Sequence, residues 1–285
     1  MKIQTFSIVA GSAACNAKCP FCVSKMSPSN GVSLREPHIN IRNFRKACRL
    51  AKQCGVTTVM ITSKGEPTLY PNQITKYLEA LKEHAFPLIE LQTNGILMSE
   101  DHKQYRRYLE SWYAKELNTI AVSVVHYDAI RNREVYLPHK ESYPDLPDFI
   151  SYLHKRGFSV RLSCVLLDGY IDGPESLEKL IKFAKQHKVE QLSVRPVNKT
   201  DNISAPVWHA LRPVQRRSIR EYLKKVGTPL MNLVHGAMVY DVKGQNVCLT
   251  NSLTIDPASE DLRQLIYFPD GHLRYDWQYE GAVIL

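Results

Sequence analysis

Val56-Thr57-Thr58-Val59-Met60-Ile61-Thr62, with the loop Ser63-Lys64-Gly65-Glu66-Pro67-Thr68 behind it, decides how this chain is read. The run is apolar and β-branched, the pattern of a parallel strand buried on both faces. The polar loop leads into a helix near Asn72–His84, giving a strand–loop–helix unit. Upstream, Thr5–Ala10 reads as a short buried strand, and Ile41–Cys54 as a helix closed by Gly55 in the favoured C-cap position. Downstream, strands at Leu88–Gln92, Thr119–Val125, Phe158–Leu166 and Gln191–Arg195 alternate with helices around Asp101–Ala114, Asp148–Arg156 and Glu175–His187. The Pro-containing segment from Tyr136 to Pro147 reads as a long loop.

This alternation implies parallel strands joined by right-handed crossovers. Six units are too few for the eight-stranded barrel, so the expected α/β fold is a partial (β/α)6 TIM-like barrel with a small C-terminal α+β extension. The expected division is a core over 1–198 and a substrate-capping extension over 199–285. In the extension, Asn202–Ser204 reads as linker and Pro213–Val226 as a basic helix carrying Arg216, Arg217, Arg220, Lys224 and Lys225. Strands are expected at Val239–Val242, Asn246–Thr250, Leu265–Phe268 and His272–Tyr275, with turn chemistry at Pro269-Asp270-Gly271. Tyr275, Trp277 and Tyr279 alternate and so would share one strand face.

Function in such folds gathers at the carboxyl ends of the strands. There lie the Gly65-Glu66-Pro67 loop, Thr93-Asn94-Gly95 and the Ser123–His126 stretch, together with Cys15-Asn16-Ala17-Lys18-Cys19-Pro20-Phe21-Cys22. The C-x3-C-x2-C spacing brings three thiolates to one small volume, as an iron–sulfur cluster requires. In a four-iron cube three cysteines leave one iron open to a substrate or cofactor, as the open position of a catalytic zinc does. A structural zinc would need a fourth ligand, and His38 lacks finger-like spacing. Seven cysteines, an odd count, together with the absence of a secretory leader, disfavour a disulfide framework.

Hydrophobic residues make up 44% of the 285, ordinary for a chain with a sizeable core. No run of about 18 apolar residues suggests a membrane span, and the first residues lack the apolar region of a signal peptide, so the cytoplasm is expected. An excess of 37 Lys and Arg over 28 Asp and Glu favours anionic partners, RNA among them, although the charges are scattered.

The cysteine motif after the first strand and Gly-Glu-Pro after the second together resemble the radical S-adenosylmethionine (SAM) superfamily, over roughly residues 5–198. The resemblance implies that Cys15, Cys19 and Cys22 hold a [4Fe–4S] cluster whose fourth iron is chelated by the amino and carboxylate groups of SAM. One electron, delivered by a flavodoxin- or ferredoxin-type donor, then cleaves SAM to methionine and a 5′-deoxyadenosyl radical that abstracts hydrogen from substrate. The family's Gly-Gly-Glu-Pro stands here as Lys64-Gly65-Glu66-Pro67, with lysine at the first glycine position. By the same resemblance Gly65, Glu66, Pro67, Thr93, Asn94, Ser123, Arg161 and Ser163 address SAM, Arg161 and Ser163 from one strand face. Leu167-Asp168-Gly169 resembles the loop that supports adenine.

The nearest subgroup resemblance is to the molybdenum-cofactor GTP cyclase type, through the Asp-Gly hairpin at Leu265–Arg274. Its second cluster is not expected here, because that region holds only Cys248, with Tyr275 and Asp276 where a late cysteine belongs. Cys164, on the opposite strand face from Arg161, is expected in the core, and Cys248 is a candidate hydrogen-atom donor if the tail folds over the barrel mouth. The expected substrate is a small molecule, nucleotide or peptide. An RNA-modifying enzyme of the same superfamily and a metal- or nucleic-acid-binding module without chemistry are the alternatives.

Overall fold

The strand at Thr58–Thr62 alternates instead of being buried throughout: Val59 and Ile61 are fully buried, whereas Thr58, Met60 and Thr62 keep partial exposure. One face packs on helices and the other lines an open interior, so the expectation of burial on both faces is corrected here. The computed structural model describes residues 3–140, 143–197, 207–233, 236–250 and 262–285. The expected linker at Asn202–Ser204 lies outside these residues.

The elements run β1 (Thr5–Val9), α1 (Ile41–Gln53), β2 (Thr58–Thr62), α2 (Pro71–Leu81), β3 (Leu88–Thr93), α3 (Ile96–Glu100), α4 (His102–Tyr113), β4 (Thr119–Val124), α5 (Ala129–Tyr136) and α6 (Leu146–His154). Then come β5 (Ser159–Leu166), α7 (Pro174–Gln186), β6 (Gln191–Pro196), α8 (Pro213–Val226), β7 (Thr228–Leu233), β8 (Ala237–Val242), β9 (Gln245–Leu249), β10 (Gln264–Tyr267) and β11 (Leu273–Arg274). The six expected βα strands and their helices are present within a residue or two, except that α2 ends at Leu81 and the chain runs on to His84 as a 3-10 turn. Three elements were not expected: α3, α5 and β7.

β1 to β6 pair side by side, all parallel, as the partial barrel requires. Their outer faces and the amphipathic helices make the main core, with Phe6, Ile61, Leu91, Val122, Leu162 and Val194 among its sheet residues. α1 shows how local signals set each unit. Asn40 caps it by accepting from the backbone N–H of Asn43, and Phe44, Ala47, Cys48 and Ala51 form its buried stripe.

Among the described residues the tail continues the same sheet. β10 pairs parallel with β1, and β9 pairs parallel with β6, giving the order β11-β10-β1-β2-β3-β4-β5-β6-β9-β8-β7. Residues 275–279 are bends and irregular chain, not a strand, so the expected shared face of Tyr275, Trp277 and Tyr279 does not form. Trp277 packs edge-on to Phe268 at 5.4 Å, whereas Tyr275 and Tyr279 are exposed. None of the described helices is long and apolar enough to cross a membrane.

Candidate active site

The site grows from the loop after β1. Gly11 takes a left-handed φ of 70°, and the aromatic carbons of Tyr70 stand where a Cβ would be. The cysteine loop then runs past the end of β2, where the Glu66 N–H donates to Ala14 O at 3.0 Å. A Cβ on Gly65 would lie 1.9 Å from that same oxygen, so this glycine is dictated by close backbone approach. From the other side the loop is tied to the end of α5: the Lys18 N–H donates to Tyr136 O at 2.9 Å and His139 N–H to Asn16 O at 3.0 Å.

Glu66 is the hub. Its carboxylate is 2% exposed and accepts from Thr68 N–H (3.1 Å), Thr68 Oγ1 (2.7 Å), Thr93 Oγ1 (2.7 Å) and Asn94 N–H (2.9 Å). Burial raises its pKa and these four donors act against that rise. The carboxylate anticipated as an acceptor for SAM is thus engaged by protein donors, fastening the loop after β3 to the loop after β2. Asn94 carries the link onward. Its Nδ2 donates to Asn16 Oδ1 at 2.7 Å and lies 4.0 Å from Cys15 Sγ. Pro67 is buried at the first position of the short 3-10 turn Pro67–Leu69, where its missing N–H costs nothing. The three sequence motifs form one hydrogen-bonded assembly.

Cys15, Cys19 and Cys22 are free thiols with partial exposure. Burial, followed by the Glu66 charge, pushes the Cys15 thiol up to about 11. Burial, followed by Cys22 and Cys15, pushes Cys19 up to about 12. The three are close enough to repel one another as thiolates. Their remaining contacts are to neutral oxygens: Cys15 Sγ to Asn16 Oδ1 at 3.9 Å, Cys19 Sγ to Tyr136 O at 3.8 Å, and Cys22 Sγ to Ser24 Oγ at 3.1 Å. Among the described residues no three His, Cys, Asp or Glu side chains converge on a single ion. A cube whose iron corners each take one thiolate does not ask them to, so the donor set of three neighbouring free thiols, partnered only by neutral groups among the described residues, fits a [4Fe–4S] cluster. Phe21, just before the last cysteine, is buried edge-on to Tyr136 at 6.0 Å.

The inner face carries the remaining candidates. Ser123 pairs in register with Ser163, Ser163 with Ser193, and Ser193 with Cys248, so one rung of the sheet reads Ser-Ser-Ser-Cys from β4 to β9. All four are partly exposed, while their neighbours Val124, Cys164, Val194 and Val247 are fully buried in the core. Cys248 therefore reaches the interior as part of the sheet and not by folding over its mouth. Burial raises its pKa, and Arg161 and Arg263 pull the other way. Arg161 finds its anion in Glu90, with Nη2 to Oε1 at 2.5 Å. Asp168, beyond β5, donates its N–H to His209 O at 2.9 Å and accepts from Gln215 Nε2 at 2.5 Å.

Lys64 is the residue whose role sequence reasoning missed. It is 7% exposed, its Nζ donates to Ser27 Oγ at 2.5 Å and Ser27 O at 3.4 Å, and it sits 5.8 Å from the Trp277 ring centroid. Burial lowers its pKa to about 8, opposed by Cys22. The signal was the lysine itself, standing where the family has glycine.

A family profile described as the radical SAM superfamily matches residues 10–184. SuiB from Streptococcus suis, solved with S-adenosylmethionine, is similar in structure with a TM-score of 0.62 at 17% identity, over 95% of this chain and 60% of SuiB. Histidine-tagged anSMEcpe with bound AdoMet gives a TM-score of 0.54 at 18% identity, over 78% of this chain and 58% of that one. Methylornithine synthase (PylB) gives 0.53 at 14%, over 78% and 63%. The chain thus spans about 60% of the length of SuiB. No curated protein matches it. The structural likenesses, at these identities, carry the partial-barrel fold, and the profile covers well over half of the 285 residues, including the cysteine loop and the Gly-Glu-Pro loop. By that match, the chain belongs to the radical SAM superfamily of enzymes.

Proposed function

We propose that this enzyme binds one [4Fe–4S] cluster through Cys15, Cys19 and Cys22 and holds SAM beside it, to abstract hydrogen from a small molecule, nucleotide or peptide. The observation that carries this reading is the assembly in which Glu66 joins Thr93 and Asn94, and Asn94 joins Asn16 of the cysteine loop. A cluster bound there would supply the electron that splits SAM, drawn from a flavodoxin- or ferredoxin-type donor.

Within this reading Glu66 fixes the loops and contacts SAM through the backbone it positions. Gly65 keeps the chain close against Ala14, and Pro67 turns it away. Thr93 and Asn94 border the methionyl end, and Ser123 and Ser163 face SAM from the inner rung. Arg161, held by Glu90, presents its remaining guanidinium edge to the same space. Cys248, at the end of that rung, is the candidate to return a hydrogen atom to a substrate radical. Residues 1–198 act as the core and 199–285 shape the substrate side, in the cytoplasm. The polar, half-open inner face supports a small substrate over RNA. On α8, Arg216 turns inward to Val197 O at 3.0 Å, and Arg217, Arg220, Lys224 and Lys225 remain exposed.

Anaerobic loading with iron and sulfide tests the cluster assignment. The expected product is a brown protein with about four irons per chain, lost in Cys19→Ala. A colourless protein that takes up only zinc contradicts it.

A further inference from the structure

Arg195 stands on the inner face of β6, one pleat beyond Ser193 towards the carboxyl end and in register with Val165 of β5. Its Nε is sealed from solvent and has no hydrogen-bond acceptor among the described residues. Among the described residues no carboxylate pairs with it. Burial lowers its pKa first of all, Arg161 and Arg263 adding like-charge repulsion. Glu90, an acid on the inner face at β3, is already engaged by Arg161 at 2.5 Å and by Gln92 Nε2 at 3.0 Å. Tyr136 and Cys164, which also act on Arg195 among the described residues, are a buried phenol and a buried thiol that stay neutral at physiological pH.

A buried guanidinium N–H without an acceptor is costly unless an anion meets it. The residue as a whole keeps partial exposure to the interior, so a ligand can reach it. We propose that Arg195 is the recognition point for an anionic group, a carboxylate or a phosphate, on the substrate. The inference rests on the radical SAM reading above, and it narrows the substrate to an anion.

The carboxylate of SAM itself is the obvious rival, and geometry separates the two. In that reading the carboxylate of SAM would sit at the end that meets the cysteine loop, near Thr93 and Asn94 at the end of β3. β6 lies three strands further along the sheet, about 14 Å at ordinary strand spacing. An arginine fork suits planar carboxylate or phosphate oxygens by two parallel hydrogen bonds, which lysine cannot reproduce. An anion there would also sit next to the Ser193–Cys248 end of the rung.

The test is calorimetric binding of two probes, pyrophosphate and succinate, to the cluster-loaded protein at fixed low ionic strength, with SAM binding measured in parallel. At least one probe is expected to bind the wild-type protein saturably, tenfold or more weaker to Arg195→Gln and to an intermediate degree to Arg195→Lys. SAM affinity is expected to stay within about twofold in both variants. Preference for pyrophosphate assigns a phosphate, and preference for succinate a carboxylate. Failure of the wild-type protein to bind either probe, equal binding by Arg195→Gln, or loss of SAM binding in the variants overturns the inference. Failure of the wild-type protein to bind SAM, with probe binding intact, instead counts against the cofactor assignment alone.

Discussion

The side-chain amide of Asn94 donates to Asn16 Oδ1 at 2.7 Å, joining the loop after the third strand to the loop that carries the three cysteines. Asn94 Oδ1 at the same time accepts from the Ile96 N–H at 3.0 Å, at the start of the short helix α3. Asn94→Ala removes both bonds and leaves Asn16 Oδ1 short of a donor, at a cost of about 1–3 kcal/mol. The expected result is weaker retention of iron and a SAM affinity lowered about tenfold, read by iron analysis and equilibrium dialysis.

Glu66→Gln keeps the shape of the hub but replaces an acceptor oxygen with a donor facing Thr93, Thr68 or Asn94. The four charge-assisted bonds weaken or clash, and the expected destabilisation is about 2–3 kcal/mol. Denaturant unfolding of the metal-free protein measures it. An unchanged midpoint would show that the carboxylate does not brace the loops.

Gly65→Ala places a methyl group where the Ala14 carbonyl oxygen now lies. The cysteine loop must move away from the Gly-Glu-Pro loop, at a cost of about 1–3 kcal/mol. Cluster loading is expected to fall in step, while far-UV dichroism stays that of the wild-type protein.

Lys64→Gly restores the family's glycine and removes the ammonium bonds to Ser27. Amide exchange across residues 24–27 is expected to quicken about tenfold, with little change elsewhere. Mass spectrometry of exchanged peptides reads it directly.

The loop thiols respond to pH in a definite direction. Cys15 and Cys19 are raised to about 11 and about 12 in the metal-free fold, against an ordinary 9.0. A raised thiol pKa means protonation at neutral pH, so the reactive thiolate fraction climbs only as pH rises through those values. Iodoacetamide should therefore modify Cys15 and Cys19 more slowly than a model thiol at pH 8, with the gap closing towards pH 11. Metal binding must release those protons, so cluster loading should improve as pH rises from 6.5 to 8.5.

Much of the core was legible because a βα unit is written locally. An apolar run, a polar loop and an amphipathic helix follow one another, and the cysteine and Gly-Glu-Pro loops stand at the strand ends. Burial of β2 on one face only was not legible, since Met60 and Thr62 suit an open interior as well as a core. α5 was missed because its residues, Ala-Ile-Arg-Asn-Arg-Glu-Val-Tyr, carry almost no apolar periodicity. What marks it is Asp128, whose carboxylate caps Ile130 and Arg131. β7 was missed because almost all of it is exposed. The pairing of β10 with β1 joins residues more than 250 positions apart, beyond any local pattern. The alternation at Tyr275–Tyr279 mimicked a strand, but the chain there turns so that Val283 bridges back to Arg274. Within the site, residue identities were legible and their mutual bonds were not. Nothing in the local pattern tells that Glu66 binds Thr93 and Asn94 or that Lys64 reaches back to Ser27.

Cys15, Cys19 and Cys22, braced by Glu66 and Asn94, are the proposed centre of SAM cleavage. The direct measurement is 5′-deoxyadenosine formed from SAM by the anaerobically loaded enzyme with dithionite, followed by chromatography. 5′-Deoxyadenosine is expected above background from the wild-type protein, and none from the Cys15→Ala, Cys19→Ala or Cys22→Ala variants. A loaded protein with about four irons per chain that binds SAM and yields no 5′-deoxyadenosine, or alanine variants that yield as much as the wild type, would contradict it.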